Sequence, residues 1–123
     1  MSPARVLIVD DQPLFRRVAR DLLEARGYTV VAEAESLAGA LEELGRCVPD
    51  AVLLDVCLGE ESGFDVARAL TGARPGVRVL LVSADEEVPC HDSVQGSGAC
   101  GFVPKAQLVS ADLGTYWRQA ERG

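Results

Sequence analysis

Five polar side chains in this sequence stand at or directly after the ends of short apolar runs, and together they could perform phosphoryl transfer. They are Asp10, Asp11, Asp55, Ser83 and Lys105. Three carboxylates in one place repel one another and ionise together only beside a cation. A hard divalent ion such as Mg²⁺ fits, because it binds one or two carboxylates and also accepts phosphate oxygens. Asp55 could then attack phosphorus as a carboxylate nucleophile, while Ser83 and Lys105 bind phosphoryl oxygens.

Asp55 is the strongest candidate for the reacting group because of the run that it ends. The segment Ala51–Asp55 is apolar and rich in branched residues, which is typical of a strand buried on both faces. A charge inside such a strand would be costly, whereas open α/β sheets bind ligands at the carboxyl ends of their strands. Taken alone, an aspartate after a strand is more often a helix cap or a turn residue. Polar residues also follow three other predicted strands, and one of these residues is the only lysine of the chain. This coincidence favours a chemical role for Asp55.

Strands that alternate with helices have to position these residues. Apolar and β-branched runs predict strands at Arg5–Val9, Tyr28–Ala32, Ala51–Asp55, Val77–Val82 and Gly101–Pro104. Helices are predicted from Pro13 to a capping Gly27, over Leu37–Gly45 after an N-cap at Ser36, over Gly63–Ala73, weakly within 86–98, and over Gln107–Glu121, with a loop at Gly59–Ser62. This alternation predicts one domain over residues 1–123, with a parallel sheet between two helix layers.

Helical spacing also predicts which residues face the core. The predicted core-facing stripes are Leu14, Val18 and Leu22 in the first helix, Leu37, Leu41 and Leu44 in the second, Val66 and Leu70 in the third, and Val109, Leu113 and Trp117 in the last. In the first helix, Arg16, Arg17 and Arg20 are expected on the opposite, solvent side.

Composition and charge exclude several functions. The chain is 48% hydrophobic and 25% charged, which is ordinary for a soluble globular protein. Its net charge of −7 argues against nucleic-acid binding by this domain. There is no apolar run of the about 20 residues that a membrane span needs, and no signal peptide is expected. The four cysteines form no metal or redox motif, so we expect free thiols and a cytoplasmic location.

The residues at the predicted strand ends resemble the receiver domain of bacterial two-component response regulators. The similarity covers nearly the whole chain and rests on Asp10-Asp11-Gln12-Pro13-Leu14-Phe15, Leu53-Leu54-Asp55, Val82-Ser83-Ala84 and Gly101-Phe102-Val103-Pro104-Lys105. The first of these motifs is most similar to receivers of the LuxR-type, NarL-like transcription regulators. The resemblance implies a flavodoxin-like, doubly wound α/β fold, with five parallel strands in the order 2-1-3-4-5 and helices on both faces.

The resemblance also implies a role for each residue. Asp55 would be the phosphoacceptor, and Ser83 and Lys105 would bind the phosphoryl group. The Mg²⁺ ligands would be Asp10, Asp11, Asp55 and the backbone carbonyl of Cys57, with Asp11 binding the ion directly. Ser83 and Phe102 would be switch residues, Phe102 being the aromatic side chain that turns inward on activation.

Partners follow from the same resemblance. The phosphoryl donor would be a sensor histidine kinase or a small acyl phosphate, and the domain would catalyse only its own phosphorylation and dephosphorylation. A homodimer would form through the fourth helix, the fifth strand and the last helix. The output would be transcriptional, through a DNA-binding domain or a partner, with no membrane contact and no nucleic-acid contact by this domain.

The sequence departs from the family pattern at three points. Gly59 and Ala106 stand where receivers usually have proline, and the fourth helix is weak because of Pro89 and the glycines near residue 97. Receivers often hold the peptide bond after the lysine in the cis form, and a non-proline cis bond costs about 3–4 kcal/mol.

Two alternative functions are compatible with parts of the pattern. One is a pseudo-receiver that binds proteins without being phosphorylated. The other is a phosphatase of the haloacid dehalogenase type, which needs a second aspartate where this chain has Cys57. The glycines at 96, 98 and 101 match G-x-G-x-x-G, but they would close a helix and enter a strand, the reverse of a dinucleotide site.

Overall fold

The structure is a computed structural model that describes residues 5–84 and 91–117. Its strands are β1 Arg5–Val9, β2 Thr29–Ala34, β3 Ala51–Asp55, β4 Cys57–Leu58, β5 Glu61–Ser62, β6 Arg78–Ser83 and β7 Gly101–Pro104. Its helices are α1 Pro13–Ala25, α2 Leu37–Cys47, α3 Gly63–Ala73, α4 His91–Gly96 and α5 Leu113–Trp117, with a 3₁₀ turn at Lys105–Gln107.

Five of these strands form one parallel sheet in the order β2-β1-β3-β6-β7. The remaining two, β4 and β5, pair with each other as a short antiparallel hairpin. The strands β6 and β7 are therefore the fourth and fifth strands of the sheet, and the predicted order 2-1-3-4-5 is confirmed. Parallel neighbours need crossover connections, which the helices supply. The result is the flavodoxin-like α/β fold.

Alternate residues of the central strands face two separate cores. In β1, Leu7 and Val9 belong to the core beneath α2, α3 and α4, whereas Val6 and Ile8 belong to the core beneath α1 and α5. All four side chains are fully buried. Because both faces are covered, β1 and β3 are almost continuously apolar until their carboxyl ends, where the first aspartates occur.

The predicted core face of α1 is wrong at Leu14 and Val18, whereas Leu22 is partly buried against the core beneath α1 and α5. Leu14 and Val18 are 80% and 58% exposed, and the fully buried residues are Ala19 and Leu23. The helix is rotated by about one residue from the prediction, a turn of about 100°. The rotation brings Arg16 beside β2 instead of leaving it in solvent, as described below.

Several element boundaries also differ from the predictions. The second strand runs to Ala34 instead of Ala32, α2 runs to Cys47, and the fourth strand of the sheet begins at Arg78 instead of Val77. Ser36 is the N-cap of α2, as predicted, and its Oγ accepts a hydrogen bond from Gly39 N at 3.2 Å. The segment predicted as a loop at residues 59–62 contains the turn and second strand of the β4–β5 hairpin.

The last predicted helix, Gln107–Glu121, is wrong in its first half. Residues 105–107 form a 3₁₀ turn and α5 begins only at Leu113, while residues 118–121 lie outside the described residues. Thr115 N and Oγ1 donate to the carbonyl and side chain of Asp112, so the helix begins after an aspartate, as caps favour. Val109, predicted to face the core, is 68% exposed.

Within the segment predicted as a weak fourth helix, the described residues form α4 over six residues, and residues 85–90 before it lie outside the described residues. Across the described part of the chain, each helix falls short of the length and apolarity that crossing a membrane requires.

Candidate functional site

The carboxyl ends of four neighbouring strands bring most of the predicted site residues to one edge of the sheet. Asp10 follows β1, while Asp55 ends β3, Ser83 ends β6 and Lys105 follows β7. Three of them, Asp55, Ser83 and Lys105, border an open cleft of about 260 Å³, whose other lining residues are Asp11, Gln12, Cys57, Gly59 and Ala84. The cleft is therefore formed by the sheet topology, which joins residues as far apart in the chain as Asp11 and Lys105.

Asp10 forms the buried floor of this site. Its side chain is fully buried, and its Oδ1 accepts a hydrogen bond from Gln12 N at 2.8 Å. Its Oδ2 lies 2.8 Å from Lys105 Nζ as an ion pair, but among the described residues it has no partner in hydrogen-bond geometry. A buried carboxylate oxygen in that condition has spare capacity to bind a cation.

Asp55 is held from two sides. Its Oδ1 accepts a hydrogen bond from Cys57 N at 3.1 Å, and its Oδ2 accepts one from Lys105 Nζ at 3.3 Å. Burial raises the pKa of Asp55 above its ordinary value, and the nearby Asp10 charge raises it further. The Cys57 amide and the Lys105 ammonium act in the opposite direction on this pKa without cancelling the rise. The surroundings of Asp55 therefore favour its neutral form more than water does.

Lys105 bridges the two buried aspartates. Its side chain is only 11% exposed, and Nζ contacts Asp10 Oδ2 and Asp55 Oδ2. Nζ also lies 4.1 Å from the centroid of the Phe15 ring, which comes from the first turn of α1. The peptide bond between Lys105 and Ala106 is trans. The lysine thus reaches the carboxylates from the start of a 3₁₀ turn.

The three aspartates are suited to hold a hard cation. Asp10, Asp11 and Asp55 each offer one carboxylate oxygen, and these oxygens all lie within 4.8 Å of one another. Asp11 is exposed, so its carboxylate meets the solvent from which an ion would arrive. Oxygen donors with several waters are what Mg²⁺ prefers, and the unsatisfied Asp10 Oδ2 fits such a ligand set.

The two residues predicted to act as a switch, Ser83 and Phe102, have different surroundings. Ser83 is buried and lines the cleft together with Asp11 and Gly59. Phe102 does not line this cleft; it is partly buried against the core beneath α2, α3 and α4. Phe102 instead contributes to the lining of a second cleft, of about 360 Å³, with Gln107 and Tyr116 among the other lining residues.

Sequence reasoning missed two arginines of α1 that bind the Asp10 backbone and the neighbouring strand β2. Arg16 Nη1 donates to the Asp10 carbonyl at 2.6 Å, and its Nε donates to Glu33 Oε1 at 3.0 Å. Arg20 Nε donates to the other Glu33 oxygen at 2.8 Å. An acidic residue inside the apolar β2 was the available signal, because a half-buried glutamate in a strand needs a cationic partner.

A glycine at the start of α3 was also missed. Gly63 N donates to the Val56 carbonyl at 2.6 Å, directly after Asp55. A Cβ atom at Gly63 would lie 2.4 Å from both the Asp55 carbonyl oxygen and the Val56 Cα. Gly63 therefore allows α3 to begin against the segment that holds Asp55.

Comparison with known proteins identifies the family. The sequence pattern of the response regulator receiver domain matches residues 6–111. This chain belongs to the response regulator receiver domain family. As a receiver domain it is part of two-component signalling, in which response regulators are phosphorylated by histidine kinases, and receiver domains bind Mg²⁺ at an acidic pocket.

Individual relatives support a NarL-like receiver domain. The chain is 39% identical over 114 residues to "Probable transcriptional regulatory protein NarL" of Mycobacterium tuberculosis, covering 89% of this chain and 53% of that protein. It is 33% identical over 102 residues to the chemotaxis protein CheY of Bacillus subtilis, covering 82% of this chain and 84% of that protein. It also spans only about half (52%) of a response regulator GacA from Pseudomonas viridiflava, to which it is 34% identical.

A solved structure agrees with the sequence relatives. The signal receiver domain of NarL from Mycobacterium tuberculosis superposes with a TM-score of 0.84 at 32% identity, over 98% of both chains. The receiver domain fold and its NarL-like character, both expected from the strand-end motifs, are thus confirmed.

Proposed function

We propose that this receiver domain accepts a phosphoryl group on Asp55 in a Mg²⁺-dependent reaction and thereby switches an output. The observation that best supports this proposal is the contact between Lys105 Nζ and two aspartates, at 2.8 Å from Asp10 Oδ2 and 3.3 Å from Asp55 Oδ2. A lysine ammonium and a cluster of three carboxylates, two of which line the open cleft, match the charges of a phosphoryl group and a divalent cation.

The proposed ligands of Mg²⁺ are Asp10, Asp11, Asp55 and the backbone carbonyl of Cys57. When bound, the ion would neutralise carboxylate charge and accept phosphoryl oxygens. The proposed ion would also counter the raised pKa of Asp55, because burial and the Asp10 charge disfavour the carboxylate form and a bound cation favours it.

The proposed reaction is a displacement at phosphorus. A carboxylate oxygen of Asp55 forms the new P–O bond, while the P–N bond of a phosphohistidine, or the P–O bond of an acyl phosphate, breaks and its electron pair leaves with the donor. The Cys57 N–H, 3.1 Å from Asp55 Oδ1, orients the carboxylate for this attack. Lys105 and Ser83 then bind phosphoryl oxygens as the charge moves onto the protein.

Intact mass after incubation with acetyl phosphate and Mg²⁺ tests this proposal. Wild-type protein is expected to gain one phosphoryl group, and the gain is expected to disappear in Asp55→Asn and on chelation of the metal. Lys105→Arg tests the geometry of the cation, because arginine retains the positive charge but has a differently shaped charged group. Persistence of the adduct in Asp55→Asn would refute the assignment of the acceptor.

The same experiment separates the rival functions. Absence of an adduct together with absence of Mg²⁺ binding, measured by calorimetry, would favour a pseudo-receiver that binds proteins without phosphorylation. A phosphatase of the haloacid dehalogenase type lacks support, because the position two residues after Asp55 is Cys57 rather than an acid.

The output is proposed to be transcriptional, by analogy with the NarL and GacA relatives, which are longer than this chain. We propose that residues 1–123 act as one cytoplasmic domain, with a sensor histidine kinase as donor. The net charge of −7 supports regulation of DNA binding through another domain rather than direct contact.

We further propose that Ser83 and Phe102 are the switch residues and that the phosphorylated form dimerises through α4, β7 and α5. The second cleft supports this surface, because it lies along β7 and α5 and includes Phe102 in its lining. Sedimentation velocity with and without phosphodonor would test it, and an unchanged monomer in the phosphorylated sample would refute it.

A further inference from the structure

The environment of the Lys105 ammonium contains one contact that the proposed chemistry does not use. Two directions around Nζ are occupied by Asp10 Oδ2 and Asp55 Oδ2. A third is occupied by the Phe15 ring, whose centroid is 4.1 Å away. The ring belongs to α1, whereas the lysine follows β7, so this contact joins two elements that lie far apart in the sequence.

A ring in this position attracts an ammonium ion. The face of an aromatic ring carries partial negative charge, and a cation within about 6 Å of its centroid is stabilised more strongly where water is excluded. The Lys105 side chain is 11% exposed and Phe15 is partly buried against the core beneath α1 and α5. Both partners are therefore partly shielded from water, and the ring is held by packing.

The contact restricts where the ammonium can be. A lysine side chain has four flexible carbons and loses much rotational freedom when it is fixed. Phe15 borders Nζ together with the two aspartates, and this arrangement favours the rotamer that points into the cleft. The charge at Asp55 would change on phosphorylation, whereas the Phe15 ring is neutral and would present the same face to the ammonium before and after the reaction.

We propose that Phe15 is a positioning residue that holds the Lys105 ammonium at the edge of the cleft next to Asp10 and Asp55. Its effect on phosphorylation rests on the proposed function. The rate of aspartyl phosphate formation is proportional to the fraction of molecules whose ammonium is in place. Loss of the ring face in Phe15→Leu is expected to slow phosphorylation by acetyl phosphate about 2- to 30-fold, the range that corresponds to about 0.5–2 kcal/mol.

The position of the ammonium can be measured directly, because Lys105 is the only lysine in the chain. Isotope labelling of lysine gives one set of ε-methylene signals in an NMR spectrum of the whole protein. The ring current of Phe15 is expected to shift these proton signals upfield in the wild type, and the shift is expected to disappear in Phe15→Leu. An unshifted signal in the folded wild type would overturn the proposal.

A graded series separates the charge of the ring from its bulk. Trifluorophenylalanine, introduced only at position 15, retains the shape of the ring but removes most of the negative charge from its face. It is expected to slow phosphorylation as Phe15→Leu does, whereas Phe15→Tyr is expected to retain the wild-type rate. Urea denaturation of each variant provides the control for folding. Equal rates for phenylalanine and trifluorophenylalanine would overturn the proposal.

Failure of the proposed function would have a different signature. In that case the wild type would acquire no phosphoryl group, but the ε-proton shift would still be present and would still be lost in Phe15→Leu. Such a result would reject phosphorylation of Asp55 and support the positioning of Lys105 by Phe15. Normal phosphorylation with no ε-proton shift would reject the positioning and support the function.

Discussion

Replacing Gly63 with alanine tests how closely α3 approaches the phosphoacceptor segment. The added methyl group would lie 2.4 Å from the Asp55 carbonyl oxygen and from the Val56 Cα, and 2.8 Å from the Val56 carbonyl carbon. Non-bonded carbon atoms prefer about 3.5–4.0 Å, so the start of α3 has to move away by about 1 Å. The obstructing atoms belong to the backbone, so a change of side-chain rotamer cannot relieve the contact.

The cost of this movement can be estimated from the contacts. Overpacking of a tight site costs about 1–3 kcal/mol. A shift of about 1 Å also breaks the hydrogen bond from Gly63 N to the Val56 carbonyl, now 2.6 Å long, which contributes about 0.5–1.5 kcal/mol. We therefore expect Gly63→Ala to lower the free energy of unfolding by about 1.5–4.5 kcal/mol.

Urea denaturation measures this difference, and Gly72→Ala is the matched control. Gly72 lies in the same helix, and a Cβ atom there would have nothing within 4 Å. Alanine is the better helix former by about 0.5–1 kcal/mol, so Gly72→Ala is expected to stabilise the protein. Since the same exchange is made in one helix, opposite signs isolate the close approach at Gly63. A Gly63→Ala protein as stable as the wild type would refute the reasoning.

Three further changes test the site and the cores. Because burial raises the pKa of Asp55, the folded state binds the Asp55 proton more tightly than the unfolded chain does. The free energy of unfolding therefore falls as the pH rises from the ordinary pKa of an aspartate to the raised pKa. Without Mg²⁺, Asp55→Asn is therefore expected to be more stable than the wild type at neutral pH, with an advantage that shrinks in acid; a variant that is less stable at pH 7 would contradict this. Ser36→Ala removes the hydrogen bond to Gly39 N and is expected to cost about 1 kcal/mol, whereas Ser36→Thr should cost less, as measured by thermal unfolding. Leu23→Ala is expected to cost about 2–5 kcal/mol and Leu14→Ala less than about 0.5 kcal/mol in urea titrations, and similar costs for the two would contradict the observed orientation of α1.

The strands and the edge of the sheet at which polar residues gather were predictable from the sequence. The buried strand Ala51–Asp55 was predicted with its observed limits, because a short apolar run that ends on a carboxylate fits few structures other than a buried strand. Parallel topology then brings the strand ends together, and the cleft at those ends contains Asp11, Ser83 and Lys105 as expected. The chemical roles of these residues remain predictions.

The orientation of α1 could not be read from spacing alone. The sets that begin at Leu14 and at Phe15 both repeat every four residues, and they differ by only one position around the helix. The ion pairs from Arg16 and Arg20 to Glu33 decide between them, and this glutamate is on another element. Such a long-range pairing leaves no periodic signal in the helix itself.

The late start of α5 has a similar cause. The apolar residues at 109, 113 and 117 fit one helical face, but Val109 lies in a turn before the helix. Arg26, at the end of α1, donates to the carbonyl of Ala111 at 2.6 Å and also to that of Val109. These carbonyls accept hydrogen bonds from an arginine that is distant in the sequence, instead of from the backbone N–H groups of a helix. The local sequence around residue 109 carries no signal for this pairing.

The position of β7 at the edge of the sheet has a consequence for the order in which the site is assembled. Among the strands of the described residues, β7 pairs with β6 alone, and it is followed by Lys105. During synthesis from the N-terminus, the strands that deliver Asp10, Asp55 and Ser83 leave the ribosome before the lysine does. A nascent chain that has folded as far as β6 therefore contains the clustered carboxylates without the Lys105 ammonium. Docking of the edge strand then adds the ammonium that contacts Asp10 and Asp55, so these two carboxylates are in place before the lysine that pairs with them.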